Sequence, residues 1–345
     1  MWWVKDEEGA TAITVALMLL VVFGIGALVL DAGNLFWERR QLQNAADAAA
    51  LAAAQDYALG MANTAEQTAR TYASVNNTRG AFVEEYEHDL AAKTVTVTTR
   101  TGDEDAPGVL VAWLAGILGH DEYFTRASAT ARWGGIGRGT TIPIAMCEHA
   151  WEHFTTDGSK LPSGPPAHIL RVGVPPGHIL EDVDCSNPGD GDVPPGGFAF
   201  LTADGNCMAE VDEFDWMDGD TGSQPDITGN SPCTETAFYD MLIEAIDSGG
   251  RLLIPIFDVY EDQGSHGRYH IIGFGALKLE GYTINSGPQH PIYGRSYKWS
   301  PGPSACPGSA SCLLLYFTEF IALDGVFPPD GGGDEHGASL VTLIR

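Results

Sequence analysis

Residues 9–55 read GATAITVALMLLVVFGIGALVLDAGNLFWERRQLQNAADAAALAAAQ, and the rest of the chain is organised around this stretch. From Ala10 to Leu30 no charged residue interrupts it. At ~1.5 Å rise per residue, that run is long enough to cross the ~30 Å hydrocarbon core of a bilayer. From Asp31 to Gln55 the composition turns to alanine, the strongest helix former, and Gly33 is the one helix breaker. The pattern predicts a long helix that spans a membrane over residues 10–30 and continues as a stalk over 31–75. Gly24 and Gly26 mark a weak point in the apolar half, because glycine costs ~1 kcal/mol relative to alanine. Ala10, Ala12 and Ala16 offer small faces for close helix packing. In the second half Leu35, Leu42, Ala45, Ala46, Ala49 and Ala53 recur at three- and four-residue intervals. An alanine seam buries little area per residue, so this helix needs a partner in water: its own β unit, a neighbouring subunit, or both.

The flank MWWVKDEEG carries one lysine against three acids, and the apolar run exceeds a signal-peptide core, so a retained anchor with a short tail (residues 1–9) is expected. Two orientation signals disagree. Arg39 and Arg40 on the far flank outnumber Lys5, which favours a cytoplasmic C-terminal side. The cysteines and the size of the C-terminal part favour the opposite, and they set the expectation adopted here: N-terminus inside, C-terminal portion outside.

GATAITVALMLL, followed by LDAGNLFWERRQLQNAADAAALAAA, resembles the N-terminal segment of the TadE/TadG-like family of Tad (tight adherence, Flp) pilus-assembly proteins. The resemblance implies a single-pass, pilin-like protein of the cytoplasmic membrane that helps to build or stabilise a Tad pilus and its secretion apparatus. It implies contact with membrane lipid and with other Tad pilus or pilin-like subunits through the helix, where Asp31, Gly33, Arg40, Leu42, Asn44 and Asp47 are the packing candidates. Gly9 and Ala10 are the candidate processing site. Thr14 stands where many pilin-like relatives carry a glutamate, a departure at the processing position. Some relatives also carry a von Willebrand A domain with a D-x-S-x-S metal site; that motif does not occur in this sequence, so neither the domain nor its ion is expected.

Beyond the stalk, Asn76, Asn77 and Gly80 form a break. KTVTVTTR (Lys93–Arg100) is a period-two strand with valines on one face, VLVAWLAGILG (Val109–Gly119) reads as a short helix, and FTRASATARW (Phe124–Trp133) returns as a strand. Residues 76–133 therefore predict a small pilin-like α+β unit. Gly134–Pro143 reads as a linker. From residue 144 to 345 short apolar runs alternate with Gly, Pro and Asp turns, and one helix, Glu235–Ser248, is signalled by Thr234 as cap and Gly249–Gly250 as stop. The expectation is a β-rich, sandwich- or barrel-like domain stapled by disulfides, and the overall class is α+β. The run G-x-x-L-x-I-P-I-F-D (Gly249–Asp258), an aromatic–glycine strand and a late cysteine pair also resemble the C-terminal region of larger TadE/TadG-like chains.

All six cysteines lie beyond the anchor: Cys147, Cys185, Cys207, Cys233, Cys306 and Cys312. An even number in that position suggests disulfides in an oxidising compartment, and six cysteines admit fifteen pairings. Local loop closure favours Cys207–Cys233 and Cys306–Cys312, which leaves Cys147–Cys185; six reduced, buried thiols are the alternative. The formal net charge of −28 argues against a nucleic-acid partner, whose phosphates such a surface would repel.

Four clusters carry side chains capable of chemistry or recognition. Cys147-Glu148-His149-Ala150-Trp151-Glu152-His153 puts two histidines at i,i+4, but each glutamate precedes its histidine, unlike the H-E-x-x-H zinc motif. Asp212, Asp215, Asp218 and Asp220, with Asp190 and Asp192 in a second acidic turn, are weak calcium candidates without EF-hand spacing. Ser265 and His266, beside Asp258 and Asp262, lack the G-x-S-x-G context of a serine nucleophile. Trp216, Tyr260, Tyr269, Tyr293, Tyr297 and Trp299 could line a glycan or protein contact, or fill a core. No catalytic residue, metal or cofactor is expected. The reading is a membrane-anchored, non-catalytic pilus-assembly component that displays a β-rich domain outside the membrane, where it could meet an extracellular surface ligand. The alternative is a membrane-tethered adhesin that pilus assembly does not require.

Overall fold

The computed structural model describes residues 8–103, 106–107, 124–154, 167–172, 198–212, 215–219, 233–261, 267–285, 289–302, 305–306, 311–322 and 336–344. Helix α1 (Glu8–Ala58) runs unbroken for 51 residues, through Gly24, Gly26 and Gly33. It stops short of the expected stalk end. Gly60 takes a left-handed φ of 70°, Met61 N–H donates to the Asp56 carbonyl, and the chain restarts as α2 (Ala65–Val75). Asp56 secures the turn from its other end: its Oδ2 accepts from the hydroxyls of Thr64 (2.9 Å) and Thr68 (2.6 Å). The stalk is thus two helices, and the punctuation Leu59-Gly60 followed by Asn63-Thr64 is the local reason.

The chain divides into two compact units, Met1–Tyr57 with Met61–Arg132 and Leu343–Arg345, and Ala58–Gly60 with Trp133–Thr342. In the first, strands β1 (Ala81–Asp89), β2 (Thr94–Asp103) and β4 (Arg126–Gly135) form an antiparallel sheet in that order, and the two-residue β3 (Ala106–Pro107) adds to the end of β2. Period-two alternation puts Val95, Val97, Thr99 and Thr101 of β2 on one buried face, level with Ala127, Ala129 and Ala131 of β4. α1 lies on that face. Thr99 Oγ1 donates to the Leu42 carbonyl (3.0 Å), and Gln43 Nε2 donates to the Ser128 carbonyl (3.2 Å). The helix expected over Val109–Gly119 lies outside the described residues.

The second unit contains β5 (Arg138–Thr141), β6 (Ile144–Cys147), α3 (Glu148–Phe154), β7 (His168–Val172), β8 (Phe198–Phe200), β9 (Ala209–Asp212) and β10 (Trp216–Asp218). There follow α4 (Glu235–Ser248), β11 (Leu252–Glu261), β12 (Arg268–Ile284), β13 (Ser296–Tyr297), β14 (Ser311–Phe317), β15 (Phe320–Ala322) and β16 (Ala338–Ile344). The main sheet has the order β7-β14-β12-β11-β6-β8, with β10 and β13 pairing to the two ends of β12. All its pairings are antiparallel except β6 with β11. β15 runs parallel to the first half of β16.

β12 is buried along nearly its whole length on both faces, so each face needs cover. Helices α3 and α4 and the two-stranded ribbon β5–β9 pack against the sheet's long strands. Gly275 of β12 makes room for this layer. A Cβ at Gly275 would lie 2.4 Å from the Trp151 ring of α3, which also meets Phe317 edge-on at 4.9 Å. The stretch 134–143, read from sequence as a linker, carries β5 and the buried side chains Ile136 and Ile142. Arg138–Thr141 forms a short strand there because β9 supplies a partner, with Ile136 and Ile142 buried on either side of it. α4 begins and ends as its sequence signals: Thr234 Oγ1 accepts from Ala237 N–H, and Gly249 takes φ 61°.

Candidate functional site in the N-terminal helix

α1 has two halves with opposite surroundings. From Thr11 to Leu30 its apolar side chains are exposed, Leu20, Phe23 and Leu30 among them, and by length and composition this is a helix able to cross a membrane. From Leu42 to Ala58 its inner face is buried: Leu42, Ala45, Ala46, Ala49, Ala50, Ala53 and Ala54 contribute almost no accessible surface. Methyl-sized side chains let the helix backbone lie close to β2, close enough for Thr99 to bond the Leu42 carbonyl directly.

Between these halves sits a buried carboxylate. Glu38 is 0% exposed. Its Oε1 accepts from Asn77 Nδ2 (3.3 Å) and Thr101 Oγ1 (3.1 Å), both buried, and its Oε2 lies 3.6 Å from the Arg79 guanidinium. Arg79 is half exposed, donates to Asn34 Oδ1 (2.9 Å) and stacks its guanidinium 4.7 Å over the Trp37 ring. A buried charge is costly unless it is paired and hydrogen-bonded. Glu38 is hydrogen-bonded through Oε1 and paired with Arg79 through Oε2, which has the ion pair but no hydrogen bond, and these contacts tie one turn of α1 to the loop before β1 and to β2. Arg79 with Asn34 and Trp37 continues that tie along α1 toward its exposed half.

Of the expected packing residues, Leu42 is buried in the seam, Asp47 accepts from Gln43 (2.8 Å), and Asp31 is half buried. Gly33, Arg40 and Asn44 face outward, and nothing lies within 4 Å of a Cβ built at Gly33, Gly24 or Gly26. Gly9 and Ala10 fall in the first turn of α1, with Thr14 exposed one turn on. Glu38 and Asp56 were not singled out from sequence. The seam itself carried the signal, since stepping back four residues from Leu42 lands on Glu38.

In the second unit Cys207 is bonded to Cys233 and Cys306 to Cys312. Cys147 is also disulfide-bonded; Cys185 lies outside the described residues. His149 and Glu152 are exposed on α3, and the His153 side chain is outside the described residues. The described carboxylates of the acidic loop engage protein partners. Arg138 takes Asp212 with two nitrogens, Arg268 lies 3.7 Å from Asp218, and Asp215 caps its own neighbour's N–H; Asp190, Asp192 and Asp220 lie outside the described residues. Among the described residues no three His, Cys, Asp or Glu side chains converge as metal ligands. Asp258 bonds His270 Nδ1 (2.7 Å), while Asp262, Ser265 and His266 fall outside the described residues. Tyr260 and Tyr269 are core residues. Trp216, Tyr297 and Trp299 are half exposed, and Tyr293 is exposed.

No curated protein and no solved structure matches the chain. Residues 9–56, all of α1 except Glu8, Tyr57 and Ala58, match the family model described as putative Flp pilus-assembly TadE/G-like, and the match takes in the exposed apolar run, the buried carboxylate and the alanine seam.

Proposed function

We propose that this chain is a membrane-anchored, non-catalytic component of a Tad/Flp pilus assembly and secretion system. The first half of α1 crosses the cytoplasmic membrane once, with the C-terminal units outside. The second half, fastened to the β1–β2–β4 sheet, passes the position of the anchor to the folded part. The observation that carries this reading is the family match confined to α1, on a helix whose exposed apolar run leads without a break into a buried seam. The outward Arg40 and Asn44 are proposed contacts for neighbouring pilus subunits. The disulfides Cys207–Cys233 and Cys306–Cys312 suit an oxidising compartment and support the outside location of their unit.

Deletion of the gene and complementation test the role. Lost pili, restored by the full chain, support assembly. Intact pili with lost surface attachment would instead favour a tethered adhesin. Sequencing of the mature N-terminus decides processing: a start at Ala10 means cleavage after Gly9 despite Thr14, and a start at Met1 means a permanent anchor.

A further inference from the structure

The second unit holds a cavity of about 690 Å³ at the base of the β12–β13 hairpin. That volume is in the ~300–1,000 Å³ range of small-molecule sites. Its wall is formed by Thr283 and Asn285 at the end of β12, Ser296 in β13, and Lys298, Trp299 and Ser300 beyond it. Each of the six carries a hydrogen-bonding group, and five are uncharged. The hydroxyls of Thr283 and Ser296 lie 2.7 Å apart across the strands. A hydroxyl offers one donor and two acceptor sites, so this pair retains capacity for a third partner. The Asn285 amide reaches the Sγ of Cys306 at 3.9 Å, a weak acceptor. Trp299 gives its indole N–H to the Gly302 carbonyl (2.9 Å) and packs on the Cys306–Cys312 disulfide, which leaves a half-exposed ring face as its contribution to the wall.

The wall is also held rigidly. Lys298, not a glycine, sits at φ 46°, in the left-handed region that side chains disfavour. β12 passes so near that a Cβ at Gly281 would lie 2.6 Å from the Lys298 carbonyl oxygen. On α4, Asp247 takes the Lys298 ammonium at 2.6 Å and the Tyr297 hydroxyl at 2.9 Å. Backbone strain persists where its surroundings over-determine it, and such positions cluster at binding sites.

Charge narrows the ligand class. The single cation of the wall is already balanced by Asp247, and a chain of net charge −28 repels anions. An apolar ligand would leave the remaining hydrogen-bonding capacity of the hydroxyls and the amide unused. What remains is a neutral molecule with many hydroxyls and one apolar face. We propose that this cavity binds a neutral saccharide, with a pyranose C–H face against Trp299 and ring hydroxyls on Thr283, Ser296 and Asn285. The assignment rests on the second unit alone and does not depend on the assembly role.

The test uses the full chain in lipid nanodiscs, free of sugar detergents, titrated calorimetrically with cellobiose, maltose, N,N′-diacetylchitobiose and, as an anionic arm, digalacturonate. Saturable binding of at least one neutral disaccharide is expected, weakened about tenfold or more by Trp299→Ala and by the near-isosteric Thr283→Val, a difference of about 1.4 kcal/mol. Thr283→Val keeps the test decisive if Trp299→Ala fails to fold. No binding of any neutral disaccharide at millimolar concentration, undiminished binding by both variants, or tighter binding of digalacturonate each overturns the proposal. Because binding is read on purified protein, its failure is separate from any failure of piliation.

Discussion

Replacing Glu38 by alanine should destabilise the first unit far more than any other single change on the outer half of α1. The side chain has no solvent access, and its Oε1 is the acceptor for Asn77 and Thr101, which are themselves 5% and 3% exposed. Truncation leaves two buried donors without that acceptor, at roughly 1–3 kcal/mol each. The lost attraction to Arg79 adds little, about 0–1 kcal/mol, because that guanidinium is 45% exposed and screened. The sum is about 2–7 kcal/mol, and its middle agrees with the ~3–5 kcal/mol usual for breaking a buried charge pair. For a unit of this size it corresponds to a fall in Tm of very roughly 10–20 °C. Glu38→Gln keeps the Oε1 acceptor and the volume, and should cost about 1–2 kcal/mol. The assay is thermal unfolding of the full chain in nanodiscs by far-UV circular dichroism, with amide exchange over residues 38–58 reporting local opening. Arg40→Ala, on the exposed side of the same turn, is the control. If Glu38→Ala melts within a degree or two of that control, the carboxylate does not fasten α1 to the sheet.

Gly275→Ala drives a methyl into the Trp151 ring and should cost about 1–3 kcal/mol, which a melting curve of the second unit would register and Trp151→Leu should partly relieve. Loss of Cys207–Cys233 should cost about 3 kcal/mol and loss of Cys306–Cys312 about 2 kcal/mol, since the first closes a loop of separation 26 and the second one of 6; paired Cys→Ser variants in urea titrations check the order. Burial, then the hydrogen bond with Tyr57, raises the Tyr86 phenol well above its ordinary value. The folded state therefore holds that proton more tightly, so its contribution is complete below pH ~10 and is lost as pH rises toward the folded value. Alkaline melts should show this loss, and Tyr86→Phe should flatten it; an unchanged alkaline slope in that variant contradicts the assignment.

Several features were legible in the residues because their causes are local. The uncharged run Ala10–Leu30 and the alanines after it determine a helix by composition, and the valines of KTVTVTTR determine a strand by period. Thr234 and Gly249 bound α4 because capping needs only neighbours in the chain. The Tad resemblance lay in the same stretch for the same reason, as one continuous motif. Tertiary structure decided what depends on distant partners. Glu38 gained its role from Asn77, Arg79 and Thr101, 39 to 63 positions away. Residues 138–141 became a strand because β9 was there to pair with them, and the cavity took shape where β12, β13 and the Cys306–Cys312 disulfide meet. A single chain segment carries its own helical preference, but the fate of a buried carboxylate or a wall of hydroxyls depends on what folding places opposite it.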